Sequence, residues 1–337
     1  MSASPTGNGG SSAHNSWQYG IPNIRTDHRM TNSIHGDSNT NVGNVSNSYN
    51  TVNVGIDEES LQIQAWLSPL EPHKRHQDVR NRRLDGVGGW VLRRSEFESW
   101  YKGQDRSVNP TLLCYGGQGV GKTYIRYKSI PWKQRMMLTS NKISSLVIDT
   151  LWEQTRRQNI AVLSLYCDYQ AQKDQSAVNM IGCLLRQVAL REPRIPGEIK
   201  RAFDESKRGG CQSLRLTDMV KLFVKTISSF ELVYLCVDAM DEVLRQHRSE
   251  FLRALRQIIQ DAPNVRLFLT GRPYICGELD KHLTKGAYIV HILADQEDII
   301  RYLSQKMDED DDQDPDLMTE DLRGDIMKTM LEKASEM

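Results

Sequence analysis

Leu112–Thr123 reads LLCYGGQGVGKT. Leu112, Leu113, Cys114 and Tyr115 form a short apolar run that suits a buried parallel strand. Gly116, Gly121, Lys122 and Thr123 then fit G-x-x-x-x-G-K-[ST], the phosphate-cradling pattern. Glycines let backbone N–H groups turn inward around phosphates with no Cβ in the way. Lys122 can reach the outer phosphates as a point charge, and the Thr123 hydroxyl can ligate Mg²⁺. A helix starting in this loop would add its positive dipole end. Ordinary residue usage gives this pattern by chance in roughly 1% of chains this long. The loop residues are therefore Gly116, Gly117, Gln118, Gly119, Val120, Gly121, Lys122 and Thr123.

Further apolar runs extend the pattern. Asn159–Tyr169 (NIAVLSLYCDY), Leu232–Val237 (LVYLCV), Val265–Leu269 (VRLFL) and Ala287–Ile292 read as four more strands. Helical periodicity lies between them at Ile143–Glu153, Ser176–Leu190, Pro196–Ser206, Leu216–Ser228 and Ser249–Gln260, with Asp295–Lys306 after the last strand. Alternating strands and helices predict an α/β fold: a parallel sheet with helices on both faces. Ligands of such sheets bind at the carboxyl ends of the strands. The glycine loop, Asp238 and Arg272 all stand at such ends.

Asp238, Asp241 and Glu242 follow the LVYLCV run as DAMDE. Asp238 sits where a carboxylate would hold Mg²⁺, often through water. Asp241 or Glu242 could orient or deprotonate an attacking water. The plainer alternative is a solvated helix start whose acids favour the dipole. Thr270 and Arg272 close the fourth strand, and Arg272 could sense a γ-phosphate.

The 337 residues carry 43 Lys+Arg and 43 Asp+Glu. That balance gives no general argument for nucleic acid or an anionic membrane as partner. No apolar stretch spans a bilayer. Cys114, Cys167 and Cys236 lie inside apolar runs and form no ligand spacing, so a reducing, cytoplasmic location is expected.

Residues 1–55 are rich in Asn, Ser, Gly and Thr and are expected to be a disordered leader. Within it Asn41–Gly55 (NVGNVSNSYNTVNVG) is either a soluble low-complexity segment or a tract that recruits a protein partner by cross-β stacking. Residues 56–108 read as a helical segment ahead of the sheet. It holds an amphipathic stretch (Leu61, Ile63, Trp66, Leu67), a turn at Leu84–Trp90, and a short helix from Ser95, the expected N-cap. Its basic run (His73, Lys74, Arg75, His76, Arg80, Arg82, Arg83) reads first as a solvated face and second as an anion contact. Trp66, Trp90 and Trp100 read as packing anchors. Residues 109–307 make the α/β core; 308–337 read as an acidic linker and a final helix from about Thr319.

These motifs together resemble the NACHT family of signal-transduction P-loop NTPases, of the fungal nephrocystin type. The resemblance rests on WLSPL (Trp66–Leu70), KRHQDVRNRRLDGVGGW (Lys74–Trp90), the glycine loop, LYCDY (Leu165–Tyr169), VDAMDE (Val237–Glu242) and LTGRP (Leu269–Pro273). It implies an ATP- or GTP-dependent switch with slow hydrolysis, Mg²⁺ as cofactor, homo-oligomerisation when active, and a role in non-self recognition or cell death. By the same resemblance Lys122 and Thr123 bind phosphate and Mg²⁺, Asp238 holds Mg²⁺, Asp241 and Glu242 support hydrolysis, and Arg272 is the sensor.

Two features depart from that family. Residues 124–142 intervene between GKT and the helix that should continue it, with Pro131 among them. A retained intron or gene-model error is the working hypothesis; a spliced transcript that still carries the segment would refute it. The family also continues into a winged-helix region and a repeat array, so the chain reads as truncated at Met337. A competing reading is an adaptor with a degenerate NTPase whose Asn-rich leader drives assembly. A small-molecule kinase would need an acceptor pocket and a basic lid, for which no segment stands out.

Overall fold

The apolar runs do become strands, and nothing but strands of one direction. A computed structural model describes residues 58–81, 83–103, 110–116, 140–156, 158–191, 194–210, 213–283, 286–292, 295–313 and 319–335. The leader, including Asn41–Gly55, and Gly117–Thr123 with most of 124–142 lie outside the described residues. Three helices come first: α1 (Glu58–Leu67), α2 (Pro72–Asn81) and α3 (Ser95–Lys102). The chain then alternates through β1 (Thr111–Gly116), α4 (Ser140–Thr155), β2 (Ile160–Tyr166), α5 (Ala177–Arg191), α6 (Gly197–Arg208) and α7 (Leu216–Ile227). It continues with β3 (Leu232–Asp238), α8 (Arg245–Asp261), β4 (Val265–Gly271), α9 (Cys276–His282) and β5 (Tyr288–Ile292). Two helices follow, α10 (Gln296–Gln313) and α11 (Glu320–Ser335).

The five strands pair in the order β2-β3-β4-β1-β5, each pair parallel. Nearly every strand residue from β1 to β4 is buried, which only two-sided coverage allows. Alternation sorts the side chains. Leu113, Leu163, Leu235 and Leu267 pack with Met180, Phe223 and Phe251 on one face. Leu112, Val162, Cys236 and Phe268 pack with Trp100, Val147 and Leu151 on the other. Trp100 is fully buried, and its indole N–H donates to Pro110 O at 3.0 Å, so the anchor reading of that residue holds. The exposed edge of β2 is closed by Gln187 of α5, whose amide accepts from Ser164 N at 2.9 Å and donates to Ser164 O at 2.8 Å.

The turn at 84–90 is present. Gly86 and Gly88 take φ of +78° and +84°, where a side chain would be strained. Gly88 N donates to Asp298 Oδ2 of α10 at 2.8 Å, and the Arg301 guanidinium lies in the space a Gly86 Cβ would fill.

Several boundaries differ from expectation. Ser95 is the first helical residue of α3, not its cap; Arg94 occupies the cap position without a side-chain bond, and the Ser95 hydroxyl turns to Glu96 at 3.1 Å. The basic run from His73 to Arg80 lies in a helix, α2, which its sequence PHKRHQDVRN does not announce because it has almost no apolar stripe. The short α9 was not expected at all. Asp308–Gln313 continue α10 where a linker was expected. Arg323 of α11 helps: its guanidinium donates to Asp308 Oδ1 at 2.8 Å while Leu303 and Met307 pack on Leu322 and Ile326. Among the described residues no helix is long and apolar enough to cross a membrane.

Candidate functional site

Even-numbered strand positions on the α4 face bring the polar residues together. In β3, Tyr234, Cys236 and Asp238 follow one another on that face, and Asp238 is the last residue of the strand. Tyr166, the end of β2, is registered directly against Asp238. Thr270 near the end of β4 lies one step beyond the Val237–Leu269 pairing on the other side. The α4 helix crosses above them and contributes Ser144.

Asp238 is almost fully buried. Its Oδ1 accepts from Thr270 Oγ1 at 2.6 Å and from the Ser144 hydroxyl. Thr270 Oγ1 in turn accepts from Ala239 N at 2.9 Å. Ala239 has φ of 54°, a left-handed value that is unusual for a residue with a Cβ. The carboxylate is therefore fixed by two hydroxyls, one of which is itself held by the backbone. Its other oxygen, Oδ2, is buried and has no hydrogen-bond partner among the described residues. Burial pushes the Asp238 carboxyl up to about 6, against the pull of Ser144 and Thr270, with Asp241 adding to the rise and Arg75 opposing it. Keeping such a group ionised costs about 3 kcal/mol relative to its ordinary value of 3.8.

The two acids that follow are used differently. Asp241 Oδ1 accepts from Arg272 N at 3.2 Å, and Oδ2 pairs with Arg272 Nε at 3.1 Å. Both oxygens of Asp241 thus tie the turn after β3 to the end of β4. Glu242 accepts only a 3.3 Å bond from Tyr169 N. Burial, then Asp241, Asp238 and Asp168, push its carboxyl up to about 7 despite that bond. A carboxyl in that range can take a proton near neutral pH.

Gly116 ends β1, whose Tyr115 is registered on Gly271. Two strand spacings of about 4.8 Å separate β1 from β3, so the glycine loop leaves the sheet about 10 Å from the strand of Asp238. The structure thus brings Gly116, Asp238, Asp241, Glu242, Thr270 and Arg272 to one carboxyl edge. Gly117, Gln118, Gly119, Val120, Gly121, Lys122 and Thr123 lie outside the described residues. Among the described residues no three His, Cys, Asp or Glu side chains are grouped for a metal. A Mg²⁺ at this edge would take one carboxylate from the chain and its remaining oxygens elsewhere, as Mg²⁺ does with phosphates.

Sequence reasoning missed the cluster beside this edge. His76 of α2 is buried; its Nε2 donates to Asp149 Oδ1 at 3.1 Å, and its Nδ1 stands 2.6 Å from Tyr166 Oη. Arg83 pairs with Asp149 Oδ2 at 2.8 Å and donates to Ser145 Oγ at 2.8 Å. Although burial opposes ionisation, His76, Arg83 and Arg80 hold the Asp149 carboxyl below its ordinary range. Burial keeps the Tyr166 hydroxyl protonated, so it can donate to Nδ1. Much of the basic run is therefore neither a solvated face nor a ligand contact. It is a brace against the chain's own acids on α4. Asp149→Ala should destabilise the protein by roughly 2–4 kcal/mol, because it strands His76 and Arg83 together. Urea unfolding midpoints will show it; a loss under about 0.5 kcal/mol would mean that the cluster does not brace α4.

Residues 140–272 match the family described as Nephrocystin 3, N-terminal. The match starts at the first residue of α4, so it includes Asp238, Asp241, Glu242 and Arg272 but not the glycine loop. No curated protein matches the chain. Two solved structures are similar in part. Against a chain in the structure of Drosophila ORC bound to DNA, the TM-score is 0.39 and the identity 16% over 68% of this chain and 51% of that one. Against a chain in the structure of Drosophila ORC bound to GC-rich DNA and Cdc6, the values are 0.36, 10%, 81% and 38%. The chain spans about half of the first and under two fifths of the second, and such likenesses say nothing of its activity.

Proposed function

We propose that the chain, whose residues 140–272 match the Nephrocystin 3 N-terminal family, is a P-loop NTPase of the NACHT kind that works as a nucleotide-dependent signalling switch. One observation carries the reading: the buried Oδ2 of Asp238 at the carboxyl edge, without a hydrogen-bond partner among the described residues, on the strand two places from the one that runs into GQGVGKT. A buried charged oxygen without a partner is rarely retained unless a ligand completes it.

In this reading the chain grips ATP, or GTP, with the backbone of Gly116–Val120, and Gly121–Thr123 complete the cradle. Lys122 meets the outer phosphates. Thr123 and Asp238 hold Mg²⁺, which when bound neutralises charge on the phosphate oxygens. Glu242 takes a proton from the attacking water, because its raised carboxyl matches neutral pH and Asp241 is committed to Arg272. Arg272 becomes a sensor only by exchanging Asp241 for phosphate. Slow turnover suits a switch, and the active form is a homo-oligomer in the cytoplasm acting in non-self recognition or cell death.

Lys122→Ala is expected to weaken nucleotide binding by at least about a hundredfold, a loss near 3 kcal/mol, and to abolish signalling with it. Isothermal titration with ATP and GTP will measure this. Unchanged affinity would remove the nucleotide reading. Signalling lost on deletion of Asn41–Gly55, with nucleotide binding dispensable, would favour the adaptor.

A further inference from the structure

The brace formed by α2 leaves one of its arginines unfinished. Arg75 Nη2 stands 3.4 Å from Asp168 Oδ2, an ion pair just past the end of β2. Its Nε and Nη2 are both buried and have no hydrogen-bond partner among the described residues. Next in sequence, His76 is locked to Tyr166 and Asp149, so the helix that carries Arg75 cannot swivel freely. Tyr166 is registered on Asp238, whose Oδ2 is also buried without a hydrogen-bond partner among the described residues. An arginine of α2 that is paired just past β2 and a carboxylate that ends β3 thus each keep a buried atom with no hydrogen bond among the described residues. A ligand with both an anionic oxygen and a cation would complete both at once.

We propose that Arg75 is a phosphate-reading residue: its guanidinium contacts the terminal phosphate of the bound nucleoside triphosphate while Asp238 faces the metal. This rests on the nucleotide reading above and adds a reader from outside the sheet. The Nε and Nη2 side of the guanidinium, which makes no hydrogen bond among the described residues and only the 3.4 Å ion pair with Asp168, suits a phosphate oxygen pair, which a lysine could not match. Arg272, the reader expected from sequence, is tied by backbone and side chain to Asp241, whereas Arg75 has one 3.4 Å ion pair with Asp168 and no hydrogen bond from Nε or Nη2 among the described residues. Because α2 precedes the sheet, the contact also couples the triphosphate to the segment leading in from the N-terminal side.

The full chain is titrated with Mg·ATP and with Mg·ADP. The wild type should prefer ATP by about tenfold or more, and Arg75→Ala should erase that preference while ADP affinity stays within about twofold. Arg75→Lys keeps charge and helix and should lose most of the preference too, which covers the case of a poorly folded alanine variant. Asp168→Asn should keep the preference; if Arg75 served only to hold Asp168, this variant would behave like Arg75→Ala, and the proposal would be overturned. Preference retained in both Arg75 variants overturns it as well, leaving the nucleotide site intact. A wild type that binds neither nucleotide overturns both readings.

Discussion

Replacing Asp238 with Asn is expected to make the nucleotide-free protein more stable, not less. The carboxyl is raised to about 6 in the fold, chiefly by burial, while its unfolded counterpart titrates near 3.8. The folded state therefore binds its proton more tightly than the unfolded state. That penalty is absent below pH 3.8, grows as pH rises through about 6, and is complete above it. Asn removes the charge and leaves an oxygen to accept from Ser144 and Thr270. The gain at pH 8 should be roughly 1–3 kcal/mol, or about 2–10 °C in melting temperature. It should vanish near pH 4. Calorimetry across that range decides it, and a lower melting temperature for the variant at pH 8 would mean that the ionised acid is a structural necessity.

The second large effect concerns residues 124–142. Deleting Tyr124–Lys142 joins Thr123 directly to Ile143 and should tighten nucleotide binding by about tenfold or more. The α4 register is set by Val147, Ile148 and Leu151 on the sheet and by Ser144 on Asp238. With the join, Thr123 takes the place of Lys142, two residues before Ser144. The free N–H groups and positive dipole end of α4 would then lie beneath the glycine loop. Equilibrium titration of both forms gives the answer. Equal affinity would show that the segment does not separate loop from helix, and weaker affinity after deletion would mean that it belongs to the binding site.

How much of this was legible in the sequence follows from what holds each part. The first four strands could be read because burial on both faces writes continuous apolar runs such as LVYLCV, and β5, whose Ile289 and His291 are exposed, still carries Val290 and Ile292 inward. Asp238 and Arg272 could be read because they end such runs. The brace could not: α2 is held by charge pairs, and PHKRHQDVRN looks like a solvated face until Asp149 and Asp168 come to meet it from sites 73 and 93 residues away, measured from His76 and Arg75. Tyr166 and Thr270 were within reach, since strand alternation and a common carboxyl end place them beside Asp238. Ser144 was harder, because its role depends on how α4 crosses the sheet. The pairing of Asp241 with Arg272 was unreadable, because it depends on the tight turn through left-handed Ala239.

The central claim is that one metal–triphosphate unit is held jointly by the glycine loop and Asp238. Titration of ATP with and without Mg²⁺, on the wild type, Lys122→Ala and Asp238→Asn, tests it most directly. Mg²⁺ should strengthen ATP binding to the wild type by about tenfold or more and leave the Asp238→Asn affinity nearly unchanged, with Lys122→Ala weak under both conditions. Equal strengthening by Mg²⁺ in the wild type and Asp238→Asn would contradict the joint grip.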